Sequence, residues 1–109
     1  MQDLIINLNS TLRLLRQAIE KRYDVASKRC DAEYKYRTAL GEAMAQAKAA
    51  GMAATALYDY CRGNERIAAL RDQRDLLVAQ EEYLTELIFY HRTAIRIYEG
   101  QLNAERKGL

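Results

Sequence analysis

Between Asn64 and Arg106 the residues Ile67, Leu70, Arg74, Leu77, Glu81, Leu84, Ile88, His91, Ile95, Tyr98 and Leu102 follow one another at alternating spacings of three and four. Side chains spaced this way fall on one helical face, and a mostly apolar pattern kept up for about five heptads marks a coiled-coil seam. At about 1.5 Å per residue such a helix is roughly 60 Å long. That is too long for the core of a compact ball, so the helix needs a partner along its whole length. The rest of a 109-residue chain has to be that partner.

The composition agrees with an all-α chain. There is no proline, half the residues are hydrophobic, and Ala, Leu, Arg, Glu and Gln outweigh the alternating β-branched runs of a sheet. A second, weaker seam passes through Leu8, Leu12, Leu15, Ile19, Ala26, Cys30, Tyr36, Leu40, Ala43 and Ala47. Gly51 is placed to stop that helix and Gly63 to stop a short one, with Thr55 and Asn64 as N-cap candidates for the two helices that follow. The predicted architecture is a single all-α domain, an antiparallel long-helix hairpin resembling a coiled coil. Its long helices cover about 3–50 and 64–106, and a short connecting helix covers about 55–62. In this arrangement Leu57 and one or both of Tyr58 and Tyr60 cover the end of the hairpin.

If residue 51 meets residue 64, facing positions carry numbers adding to about 115. This register gathers Glu33, Arg37 and Glu81 into one buried polar layer, in which the arginine bridges two carboxylates and fixes the helix alignment. It also brings His91 towards Asp24.

The charge balance of 17 bases against 15 acids excludes both a DNA-like polyanion and a strongly basic nucleic-acid binder. Cys30 and Cys61 lack a CxxC or zinc spacing and predict reduced thiols in a cytosolic protein. The first residues predict neither a signal peptide nor a membrane span. A di-iron reading of Glu33, Glu81, Glu82, Glu86 and His91 fails, because Ile88 stands three residues before the only histidine. Without a phosphate loop, metal spacing or nucleophile–base pair, the residues predict no enzyme and no cofactor.

Two features remain for function. Lys21, Lys28 and Lys35 repeat every seven residues beside Arg22 and Arg29, a basic stripe able to track phosphates. Acids interleave with it, so a solvated charged face is the plainer reading. The second feature is an apolar surplus. Tyr83, Leu87, Tyr90, Ala94 and Ile97 form a second row on the last helix, with Phe89 nearby, while Leu4, Ile5, Ile6 and Leu14 add to it from the N-terminal segment. One partner helix cannot cover both rows. Either a second copy packs on the open end, making a homodimeric four-helix bundle, or a foreign protein does.

From Tyr34-Lys35-Tyr36 through Ala39-Leu40, and from Tyr58 through Arg62-Gly63-Asn64 to Asp75, the chain resembles small helical proteins encoded by bacteriophages and prophages. The likeness covers about two thirds of the chain and brings no catalytic residues. It implies a context: a non-enzymatic module that binds and modulates a host or phage machine, as anti-CRISPR inhibitors and recombination or replication accessories do. A nucleic-acid-binding accessory and a structural assembly coiled coil are the alternatives.

Overall fold

The computed structural model describes residues 1–108 and contains three helices, α1 (Gln2–Ala49), α2 (Ala54–Arg62) and α3 (Glu65–Gly108), with no strand among the described residues. The protein is an all-α helical hairpin in which α1 and α3 pack against each other. Helix α1 starts at Gln2 and runs unbroken to Ala49; Thr11 lies inside it and donates its hydroxyl to the Asn7 carbonyl at 2.8 Å.

Local chemistry explains the breaks. Gly51 adopts φ +94°, and the Met52 amide donates to the Ala47 carbonyl (3.1 Å) while the Gly51 amide donates to Lys48 (3.0 Å). This pair of bonds is a Schellman ending, which needs the left-handed backbone that glycine adopts without strain. The N-cap of α2 is Ala53, which makes no side-chain cap bond, so Thr55 does not cap the helix. Asn64 does cap α3: its Oδ1 accepts from the amides of Arg66 (3.0 Å) and Ile67 (3.4 Å). Asn64→Ala is therefore expected to lower unfolding free energy by about 1 kcal/mol in urea titrations, against only a few tenths for Asn64→Gly.

The chain forms two compact units. The bracket unit is Val25–Ala79, and the terminal unit is Met1–Asp24 together with the α3 residues from Gln80 on. In the bracket unit Tyr36, Ala39 and Ile67 form a buried cluster joined by Leu40, Ala43 and Leu70, and Arg74 reaches Glu33 at 3.3 Å. In the terminal unit the Met1 amino group meets Glu105 (3.1 Å), and Arg22 meets Thr85 (2.8 Å) and Glu81 (3.8 Å). Helices α1 and α3 are antiparallel in each unit, and the paired numbers, such as 39 with 67, 33 with 74 and 22 with 85, add to about 106 rather than the expected 115.

The connecting helix accounts for the difference. A register of about 106 leaves the last eight residues of α1 beyond the start of α3, roughly 12 Å of helix. Nine residues of α2 match that length. Leu57 and Cys61 are buried, and Ala43, Met44 and Ala47 are half-buried, which gives α2 an apolar face for the end of α1. Tyr58 and Tyr60 remain exposed, so Cys61 takes the covering role expected of a tyrosine, and the Arg62 guanidinium lies 5.3 Å from the Tyr58 ring centre.

All eleven seam positions predicted on α3 are buried or half-buried. The α1 seam needs correction. Its buried residues are Thr11, Ala18, Val25, Ala32 and Ala39, at steps of seven, together with the expected Tyr36, whereas Leu12 and Ile19 are each 45 % exposed and Cys30 is exposed. Several of these α1 side chains are small and face the larger Ile and Leu side chains of α3, so one helix supplies most of the bulk of the seam.

Candidate protein-binding surface

The expected apolar surplus is present in the terminal unit, but it is divided. Leu4 is half-buried and belongs to the seam, so it is not part of an outer surface. Ile5, Leu12 and Ile19 form one row on α1. Tyr83, Tyr90 and Ile97 form another on α3, 66 %, 67 % and 54 % exposed, beside half-buried Leu87 and Ala94.

Helical geometry and the polar contacts place the two rows. Leu12 and Ile19 lie four residues after seam residues Leu8 and Leu15, just as Thr85 lies four after Glu81. In an antiparallel helix pair these positions share a flank. The Arg22–Thr85 bond is on that flank, as is a shallow groove lined by Leu8, Glu99, Leu102, Asn103 and Arg106. Leu14, Leu87 and Ala94 lie three residues after Thr11, Leu84 and His91 and take the opposite flank, with Tyr83, Tyr90 and Ile97 beside them. Phe89, 64 % exposed, lies on the Arg22 side. The surplus is therefore two strips on opposite flanks, not the one surface anticipated.

The basic stripe is largely engaged. Arg22 and Arg29 lie four residues after the buried Ala18 and Val25, on the seam side of α1 rather than on its outer face; Arg22 is exposed but tied to Thr85 and Glu81, Arg29 is half-buried, and Lys28 and Arg29 also have partners. Lys35 is held by Asp31 at 2.9 Å. Lys21 is exposed. An arginine bound to a carboxylate has less unbalanced charge to offer a phosphate.

The single Glu33, Arg37 and Glu81 layer does not form. Glu81 lies in the terminal unit with Arg22, and the bridging arginine of the bracket unit is Arg74. Its guanidinium binds Glu33 (3.3 Å) and Asp75 (2.9 Å) and lies 4.6 Å from the Tyr36 ring centre. Arg37 reaches Glu33 at 2.7 Å from the exposed side. The eight-to-nine-residue change in register is the cause, because it brings residue 74 rather than 81 level with Glu33.

Electrostatics follow from these contacts. The Arg37 hydrogen bond, opposed by partial desolvation and reinforced by Arg74, holds the Glu33 carboxyl below its ordinary value of 4.5. Burial works against the charge on Arg74, but its bonds to Asp75 and Glu33 outweigh that and raise it above its ordinary value. A lowered acid contributes stability at pH above its unfolded value, and the contribution is lost as pH falls through the folded one. The parent protein is thus expected to lose more melting temperature than Glu33→Gln when acidified from about pH 6 to about pH 3. Equal losses would remove Glu33 from the acid response.

His91 is buried, 5.6 Å from Tyr90 in an edge-on contact. The register sets it level with Leu15, so the expected approach to Asp24, nine positions away along α1, does not arise. No group of three or more His, Cys, Asp or Glu placed to hold a metal occurs among the described residues, and no described helix is long and apolar enough to cross a membrane.

No family model matches the chain, and no curated protein or solved structure matches it either.

Proposed function

We propose that this chain is a non-enzymatic protein-binding module that docks a partner protein on the apolar strips of its terminal unit. The observation that carries this reading is the row Tyr83, Tyr90 and Ile97. It repeats every seven residues and stays more than half exposed although the α3 seam beside it is already filled. Tyrosines suit a surface that alternates between water and a partner, because the ring buries area while the hydroxyl tolerates solvent. In the setting implied by the phage resemblance, the partner belongs to a host or phage macromolecular machine in the cytoplasm. The nucleic-acid reading has less support, because Arg22 and Lys35 of the stripe are committed to contacts within the chain.

A photo-crosslinking amino acid at position 90 tests this in cells. The expected product is a protein adduct of defined mass, unaffected by changing Lys21, Lys28 and Lys35 to glutamine and lost when Tyr83 and Ile97 become aspartate. Crosslinking to nucleic acid alone, or tight nucleic-acid binding that persists at about 0.2 M salt, would overturn the proposal.

A further inference from the structure

Arg62 and Arg71, at the corner between α2 and α3, are half-buried, and neither guanidinium forms an ion pair among the described residues. Arg71 donates one N–H to the Arg62 carbonyl at 3.4 Å, which ties the two residues together. The Arg62 guanidinium lies over the Tyr58 ring, and its Nε is buried without a hydrogen bond. A polar group in that state calls for an explanation. Acids are within one helical turn, yet Asp59 and Asp72 pair with neither arginine, and Asp75 is taken by Arg74 at 2.9 Å.

The bracket unit contains the same arrangement in completed form. Arg74 lies 4.6 Å from the Tyr36 ring centre, as Arg62 lies 5.3 Å from that of Tyr58, but Glu33 and Asp75 answer the Arg74 guanidinium. Tyr36 is 6 % exposed and Tyr58 48 % exposed, so the completed pair is sealed inside the hairpin and the other faces water. We infer that Arg62, with Arg71 beside it, receives a single oxyanion, a carboxylate in the pattern of Glu33, from another molecule. A guanidinium partly stripped of water and held against a ring loses less on taking an anion than a hydrated, freely rotating one. Its terminal nitrogens present the planar fork that a carboxylate fits.

The surrounding charges select a single group over a polyanion. Between residues 59 and 72 the bases Arg62, Arg66 and Arg71 are balanced by the acids Asp59, Glu65 and Asp72, so a nucleic acid gains no long-range attraction there. The inference goes beyond the docking strips and does not depend on them, because its residues belong to the bracket unit.

Side-chain Nε–H signals in NMR spectra of the whole protein test the inference, with acetate, inorganic phosphate or chloride added at constant ionic strength. The Arg62 and Arg71 signals are expected to move along a saturating curve with acetate and with phosphate, and not with chloride. Arg62→Gln and Arg71→Gln should each weaken acetate binding several-fold. Arg62→Lys keeps the charge without the fork and should weaken it as much as Arg62→Gln. Arg66→Gln removes an equal charge from an exposed position of the same stretch and should leave binding nearly unchanged. Saturation by phosphate alone would keep the oxyanion and make it a phosphate group. Shifts of the parent signals that stay linear with both anions would overturn the inference, whatever the variants do. So would equal saturation by chloride, or a loss in Arg66→Gln as large as in Arg62→Gln.

Discussion

Ile67→Ala is expected to cost about 2–5 kcal/mol of unfolding free energy, which for a domain with about 5–15 kcal/mol in total approaches loss of the fold. Ile67 is 2 % exposed and lies in the cluster with Tyr36 and Ala39. Removing three carbons there forfeits their burial and leaves a cavity. The seam alanines opposite cannot fill it, because they have no side chain to rotate inward. Leu76→Ala is the control. That residue is 60 % exposed on the same helix, so the change should stay near the ±0.5 kcal/mol usual for surface positions. Urea midpoints of the two variants measure the contrast, and similar losses would mean that the buried face of α3 is misassigned.

Two adjacent residues should respond in opposite ways. Ala18 is 5 % exposed and Ile19 is 45 % exposed. Ala18→Leu forces added methylenes between helices spaced for a small side chain and should destabilise by about 1–3 kcal/mol. Ile19→Glu places a charge where water already reaches, so stability measured at low concentration should change by no more than about 0.5 kcal/mol. An ordinary hydrophobicity argument predicts the reverse order, with the larger apolar residue counted as core. If Ile19→Glu unfolds the protein while Ala18→Leu is tolerated, the α1 seam runs through Leu12 and Ile19 after all.

That contrast indicates which parts of the fold were legible from residues alone. The α3 seam was plain because its buried positions carry Ile and Leu, and the ends at Gly51 and Asn64 were plain because left-handed backbone and cap bonds select those residue types. The α1 seam was obscured because most of its buried positions, Thr11, Ala18, Ala32 and Ala39, stand out less than the exposed Leu12 and Ile19. The register was missed for a separate reason: a connecting helix can cap a hairpin or lie along one arm, and its residues are apolar in either case. Once the register is known, Arg74 opposite Glu33 follows by counting. The apolar rows themselves could be read from spacing, but their division between two flanks could not, because it depends on which edge of α1 meets which edge of α3.

The sequence separations of the contacts imply an order of assembly. Arg74 and Glu33 are 41 residues apart, Arg22 and Thr85 are 63 apart, and the Met1–Glu105 pair joins positions near both chain ends. Closing a longer loop costs more entropy, by about 0.6 kcal/mol for each doubling, so contacts near the bracket form first and the helices zip outward from there. The terminal unit is then the last part to close and the first to fray, and hydrogen exchange should be faster in its amides than in those around Ala39 and Ile67. Its strips are also the proposed docking surface, so a bound partner would act as a clasp, slowing exchange in residues it does not touch.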